Sequence, residues 1–425
     1  MPRCDRRTFL KLAGSVTLMA GAGIPAPSLA RTKARVVVIG AGYGGAIVAK
    51  YLRLADPGIH VTLVEKNRHF VSCPLSNEVI SGQRTIDSLT FGFDGLRGHG
   101  VEVVHAEARE VDAAAKRVVL AGGETLPYDY AVASPGVDFR WGAIEGYDEA
   151  AVAHMPHAWK AGPQTLLLRR QVEAIPDGGT VYIVAPPNPF RCPPGPYERA
   201  AQIAHYLQPR KPRCKVVILD AKTVFSKQGL FQAGWKQHYG DMISWVPGHE
   251  DGKVLRVDPE KRMLFTDFSD IKGDVVNVIP PQKAGVVAAR SGLVDDSGWC
   301  PVDPRSFESS LHPDVFVVGD SCIAGAMPKS GYAANTQAKV CAANIVARVN
   351  GDTPPPPSYV NTCYSLVSPE HGISVAAVYQ LKDGDIVGVD GAGGVSPADA
   401  PPWVRRREAV YAHSWYRNIV ADMFS

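Results

Sequence analysis

Apolar residues in this chain gather into short unbroken runs, the pattern of strands buried on both faces of a parallel sheet. Arg35-Val36-Val37-Val38-Ile39 is the first such run. It enters Gly40-Ala41-Gly42-Tyr43-Gly44-Gly45 and then a helical stretch from Ala46 to Leu54. Val61-Thr62-Leu63-Val64-Glu65 follows, a second strand that closes on an acid. Strand, G-x-G-x-x-G turn, helix and terminal acid together predict a dinucleotide-binding unit. Gly40, Gly42 and Gly45 let backbone and helix N-terminus approach a pyrophosphate, and Glu65 is placed to bond a ribose hydroxyl.

A second unit begins in the same way and then departs. Thr180-Val181-Tyr182-Ile183-Val184 reads as a buried strand, with another at Lys215–Asp220. Between them Pro186-Pro187-Asn188-Pro189-Phe190 fills the place of a glycine loop. Prolines remove the N–H donors that a phosphate needs, so no NAD(P)H is expected to bind. Cys192 stands where the phosphate loop would end.

Farther along, Pro313-Asp314-Val315-Phe316-Val317-Val318-Gly319-Asp320 is a strand ending in Gly-Asp. Met327-Pro328-Lys329-Ser330-Gly331-Tyr332 then leads into a helical run from Ala333 to Val349. With Tyr128-Asp129-Tyr130-Ala131-Val132-Ala133-Ser134-Pro135-Gly136, these segments resemble the two-dinucleotide-domain flavoproteins of the glutathione reductase structural family. The resemblance implies FAD, with Asp320 on the ribityl chain and Lys329 among the cofactor-binding residues. It also implies that the helix after Lys329 points its N-terminus at the flavin, where its dipole stabilises negative charge.

The expected fold is α/β: two Rossmann-like domains and a C-terminal α+β domain. Residues 31–150 and 286–350 form the FAD domain, 151–285 the degenerate nucleotide-type domain and 351–425 the C-terminal domain. In the last, an apolar strand at Ile373–Tyr379, a Gly-rich hairpin near Gly391–Gly394 and a helix over 402–424 are expected.

Residues 1–30 read as an export signal. Asp5-Arg6-Arg7-Thr8-Phe9-Leu10-Lys11 carries the twin-arginine pattern, and Ser28-Leu29-Ala30 a small-x-small cleavage site. A periplasmic location is the expectation. Setting that segment aside leaves 41 basic and 41 acidic residues, so no basic arm remains to attract nucleic acid. Seven cysteines remain, at 73, 192, 214, 300, 322, 341 and 363. In an oxidising compartment at least one pair is expected to be a disulfide. No Cys-x-x-Cys-His occurs, so any c-type haem belongs to a partner, and no Cys/His spacing suggests a metal site.

Disulfide reductases of the glutathione reductase type carry a redox cysteine pair shortly after the ribose acid; here Phe70-Val71-Ser72-Cys73-Pro74-Leu75 holds one cysteine. Phe190-Arg191-Cys192-Pro193-Pro194-Gly195-Pro196-Tyr197-Glu198 and Asn361-Thr362-Cys363-Tyr364-Ser365 hold two others. With His157-Ala158-Trp159-Lys160, Gly298-Trp299-Cys300-Pro301 and Ser414-Trp415-Tyr416, these blocks resemble the flavoprotein subunit of flavocytochrome c sulfide dehydrogenase. That resemblance implies sulfide as substrate, a c-type cytochrome subunit as acceptor and no integral membrane association. By the same resemblance Cys73 carries the flavin as a thioether, Cys192 and Cys363 form a redox disulfide, and Glu198 is the acid/base. The plainer alternatives are a buried thiol at Cys73, a structural crosslink for the pair and an ordinary first-turn acid at Glu198. Cys300, Cys322 and Cys341 are expected to be packing residues, and Cys214 stands at a strand start with nothing near in sequence to pair with. Two further readings share the fold: a sulfide:quinone reductase, and an accessory flavoprotein of the periplasmic sulfur-oxidising system.

Overall fold

The computed structural model describes residues 32–425; the twin-arginine segment lies outside them. Five parallel strands form the first sheet, in the spatial order Val315–Val317, Tyr130–Ala133, Ala34–Ile39, Ile59–Val64 and Glu102–Val104. The strand Ala34–Ile39 lies at its centre because Val36, Val37, Val38 and Ile39 are buried on both faces. Successive strands run outward on one side of it, and the chain then crosses to Tyr130–Ala133 on the other. The crevice at that reversal, beyond the carboxyl ends of the strands, is where open α/β sheets take their ligands.

A second parallel sheet repeats the arrangement, in the order Ile243–Val246, Lys215–Asp220, Thr180–Ala185 and Val275–Val278. The helix Gly195–Leu207 follows its central strand, as Gly45–Ala55 follows the strand Ala34–Ile39 of the first sheet. The helix Gly331–Asn350 returns the chain to the FAD-type half, capped at its start by the Ser330 hydroxyl, which accepts from the Ala333 amide at 3.2 Å.

Three long antiparallel strands, Tyr359–Ser368, His371–Lys382 and Asp385–Val395, make the C-terminal sheet. The hairpin expected at Gly391–Gly394 lies elsewhere. Those glycines sit inside the strand Asp385–Val395, where the pairing register shifts, and the turn is Asp383-Gly384, both with positive φ (52° and 86°). Two successive left-handed residues match the twist of the flanking strands.

The last helix, Pro402–Phe424, lies on the body of the protein. Tyr416, Ile419 and Val420 pack with Val79 and Leu89, and Phe424 stacks on Phe91 at 5.4 Å. The Asp422 carboxylate accepts from Lys339, Tyr51 and Asn335, at 2.8, 2.9 and 2.9 Å. No helix among the described residues is long and apolar enough to cross a membrane.

Candidate active site

A cavity of about 850 Å³ runs from the glycine turn after the first strand to the cysteines of the other two units. Gly40, Gly42, Glu65, Cys73, Cys192, Glu198, Asp320 and Cys363 all line it. Gly45 lies beneath the turn, where a Cβ would stand 1.8 Å from the Gly40 carbonyl oxygen, and so lets helix and strand close up. Gly40 has φ +90° and would carry a Cβ 2.5 Å from the Ser134 carbonyl oxygen, so no larger residue fits. The Glu65 carboxylate accepts from the amides of Ala41 (3.0 Å) and Asn67 (2.9 Å), which fixes it at the cavity rim.

At the other wall the Asp320 Oδ1 atom is buried without a hydrogen-bond partner. Burial raises the pKa of this carboxyl against the pull of Arg191 and Lys329. An orphaned buried oxygen facing a cavity awaits a donor from a ligand, because leaving it unmet costs about 1–3 kcal/mol. A glycine cradle at one end and an acceptor for a hydroxyl at the other fit FAD. Lys329 departs from its expected place. Its ammonium donates to the carbonyls of Asp320 (2.8 Å) and Cys322 (2.9 Å) and lies 3.8 Å from the centre of the Trp299 ring. It shapes the Asp320 loop from behind and is absent from the cavity wall.

The thiol end is built from three separate segments. Cys73 reaches the wall after a short strand, its Sγ 3.6 Å from the Trp159 carbonyl. Cys192 adopts a left-handed conformation (φ +58°), its amide donating to the Lys329 carbonyl at 2.8 Å. Three residues on, Gly195 opens the helix; a Cβ there would stand 2.6 Å from the Trp159 ring and 3.1 Å from the Cys192 sulfur. Cys363 arrives on the strand Tyr359–Ser368, with the Asn361 amide nitrogen 4.0 Å from its sulfur. The seven cysteines among the described residues are all free thiols in the structure, yet Cys192 and Cys363 face one cavity. Burial raises both thiols' pKa values, and for Cys192 the neighbouring Cys363 and Glu198 add to the rise.

Glu198 joins the segments. Its carboxylate accepts from the Asn77 side chain (2.9 Å) and the Leu366 amide (2.8 Å), one residue from each neighbouring unit. Burial raises its pKa against those two donors and Lys227.

Three cations at this end escaped the sequence reading. Arg191 donates to the Trp159 carbonyl and is influenced by Cys73, Asp320 and Cys192. Arg199, fully buried, donates to Asn77, Asn277 and the carbonyls of His157 and Ala158. Lys227, buried at the start of the helix Gln228–Tyr239, donates to the Ser365 hydroxyl at 2.9 Å. Arg191 and Arg199 stand next to the singled-out Cys192 and Glu198 and were readable; Lys227 lies in a stretch with no motif. His157 carries no charge here: burial lowers its pKa to about 3, and its Nδ1 accepts from the Trp159 amide.

Similarity to known proteins covers all three units. Residues 34–162 match the family described as pyridine nucleotide-disulphide oxidoreductase. Residues 165–280 match the central part of the sulfide dehydrogenase [flavocytochrome c] flavoprotein chain, and 355–424 the flavocytochrome c sulphide dehydrogenase flavin-binding family. Over 45 residues, 11% of this chain and 94% of the relative, it is 64% identical to the sulfide dehydrogenase [flavocytochrome c] flavoprotein chain of Chlorobaculum thiosulfatiphilum. Over 344 residues, 75% of this chain and 71% of the relative, it is 22% identical to the mitochondrial sulfide:quinone oxidoreductase of Mus musculus. Among solved structures, the sulfide:quinone oxidoreductase of Aquifex aeolicus superposes with a TM-score of 0.73 at 18% identity, covering 91% of this chain and 92% of the other. The chain therefore belongs to the family of flavocytochrome c sulfide dehydrogenase flavoprotein chains.

Proposed function

We propose that this chain oxidises sulfide to sulfur or polysulfide with Cys192 and Cys363 and passes the electrons to a c-type cytochrome subunit in the periplasm. One observation carries the reading. Cys192, Cys363 and Glu198 share a cavity with the dinucleotide cradle, while protein fills the crevice where a second nucleotide would lie.

The two sulfurs begin as a disulfide. Hydrosulfide attacks one of them; a new S–S bond forms as the old one breaks, leaving a persulfide on one cysteine and a thiolate on the other. Glu198, with its raised pKa, takes the proton that hydrogen sulfide releases on becoming the attacking anion. Arg191 and Lys227 supply the positive potential that draws a small anion into a buried place. The residues placed to hold FAD are Gly40, Gly42, Glu65 and Asp320, with Cys73 as the covalent attachment. Bound there, FAD supplies an acceptor for an electron pair that can be released one electron at a time.

The Arg6-Arg7 pattern supports the periplasmic location, and the family's name supports a haem-bearing partner. The relatives named for quinone support a second acceptor. The helix Pro402–Phe424 turns Ile419, Val420 and Met423 into the body, while Trp403, Val410 and Tyr411 on its outer side stay exposed, so the helix leaves the choice of acceptor to experiment. Anaerobic stopped-flow mixing tests the choice. Sulfide should bleach the flavin absorbance, and oxidised cytochrome c should restore it faster than a short-chain quinone. The opposite order overturns the cytochrome route.

A further inference from the structure

Both oxygens of the Glu198 carboxylate accept from donors that are themselves held. Oε1 takes the Leu366 amide at 2.8 Å, and the Leu366 carbonyl in turn accepts from Gln202 at 2.9 Å. Oε2 takes the Asn77 side-chain nitrogen at 2.9 Å, and the Asn77 oxygen accepts from the Arg199 Nε at 3.1 Å. A guanidinium can only donate, so Arg199 decides which way the Asn77 amide faces: oxygen to Arg199, NH2 to Glu198. Arg199 cannot swing away, because Asn277 (2.9 Å) and the carbonyls of His157 (3.0 Å) and Ala158 (2.6 Å) hold its two terminal nitrogens. All these acceptors are neutral oxygens, and through the Asn77 amide the buried cation turns its charge towards Glu198. Asn77, Glu198 and Arg199 line the same cavity as Cys192 and Cys363.

We propose that Asn77, its amide set by Arg199, is a positioning residue that holds Glu198 ionised and ready to take a proton. This rests on the acid/base reading of Glu198 above. Hydrogen sulfide gives its proton to a Glu198 oxygen and becomes the attacking anion; that step needs Glu198 to begin as the carboxylate. A donor-only neighbour favours the carboxylate over the acid. Burial raises the Glu198 pKa, and the Leu366 and Asn77 donors oppose the rise. The other charged groups around Glu198 are engaged elsewhere. Lys227, at the start of the helix Gln228–Tyr239, donates to Ser365, and Arg191 donates to the Trp159 carbonyl. Glu78, on the helix Ser76–Ser81, is taken by Arg84 (2.8 Å) and His413 (2.7 Å). Joined as a disulfide, Cys192 and Cys363 carry no charge.

Two measurements on the flavin-loaded mature protein test this. Asn77→Asp keeps the shape and the bond to Arg199 but replaces the donor by a second carboxyl, so the pair retains a proton to higher pH. In anaerobic stopped-flow mixing with sodium sulfide across a pH series, the acid limb of flavin reduction should move up by about one pH unit, with the rate recovering at high pH. The ionisation of sulfide is common to both proteins and cancels. Asn77→Ala, which removes the donor without adding charge, should move the limb in the same direction. The second measurement uses no sulfide. The melting temperature of each protein is compared across pH with that of its own Glu198→Gln counterpart, and the upper end of the Glu198-dependent window should rise by about one pH unit in Asn77→Asp. A rate that falls by the same factor at every pH with the limb unmoved, or an unmoved melting window, overturns the proposal and leaves Asn77 as packing. If the melting window moves but Glu198→Gln reduces its flavin with sulfide at an unchanged rate, Asn77's hold on Glu198 stands and the acid/base reading fails.

Discussion

The Tyr197 hydroxyl donates to the Asp220 carboxylate at 2.5 Å, at the point where a nucleotide-binding domain would place its ribose acid. Asp220 ends the second strand of the second sheet, as Glu65 follows the second strand of the first. Glu65 faces a cavity; Asp220 is fully buried and also accepts from Trp245 (3.0 Å) and Lys222 (2.6 Å). The Lys222 ammonium donates onward to the Pro186 carbonyl, and Phe225 stacks on Tyr197 at 3.7 Å. The crevice is filled from within. NADH and NADPH at millimolar concentration should therefore leave the flavin oxidised under anaerobic conditions. Bleaching by either would refute this. Asp220→Ala should lower stability by about 3–5 kcal/mol in chemical denaturation, since it strands a buried cation, without creating NADH activity.

Much of the first dinucleotide site was legible because its chemistry is local. Gly40, Gly42 and Glu65 follow from a turn and two strands contiguous in sequence. Asp320 was legible because a Gly-Asp at a strand end is itself a motif. The thiol end was legible only through the family resemblance, which named Cys73, Cys192, Glu198 and Cys363; composition and spacing alone could not bring together three segments so distant in the chain. Nothing periodic marks Lys227, whose importance comes from burial beside groups on other units. The misplaced hairpin has a simpler cause. Glycines at 391, 393 and 394 drew the turn towards themselves, although Asp383-Gly384 carries the stronger two-residue turn signal.

Cys73 lies on the cavity wall beside Trp159, within reach of whatever the glycine cradle holds. Acid-precipitated mature protein should keep its yellow colour in the pellet. Cys73→Ala should release FAD to the supernatant while the native variant still binds it through Asp320 and the cradle. Free flavin from unmutated protein would sink the thioether.

Glu198 gives a pH signature in both stability and rate. Its pKa is raised on folding, chiefly by burial, so between the ordinary carboxylate pKa and the raised value the folded state holds the extra proton. Native stability accordingly falls as pH climbs through that window and is level above it. Glu198→Gln lacks this loss, so its melting temperature should gain on the unmutated protein as pH rises from acid to neutral. The same variant should slow sulfide-driven flavin reduction by about a hundredfold, the lower range for a lost acid/base group, and flatten its pH profile. Parallel pH curves for the two proteins would leave Glu198 as a bracket between Asn77 and Leu366.

Cys192 and Cys363 lie far apart in sequence and meet only because the C-terminal sheet folds onto the helix Gly195–Leu207, where the Leu366 amide reaches Glu198. A non-reducing digest of the oxidised mature protein should therefore yield one linked peptide pair containing these two cysteines. Cys300 and Cys322 are adjacent partners on parallel strands, yet they are buried behind Lys329 and should remain thiols. Replacing Cys192 or Cys363 by Ser should leave fold and flavin in place and abolish reduction by sulfide, because hydrosulfide needs an electrophilic sulfur and a lone thiol offers none. Dithionite should still reduce the flavin in both variants. Stability should fall as well, by about 5 kcal/mol for a crosslink closing so long a loop in the chain-entropy account. The two losses separate a catalytic bond from a structural one. A Cys192→Ser protein that melts lower but oxidises sulfide at a near-normal rate would make the bond a brace and remove sulfur exchange from the mechanism.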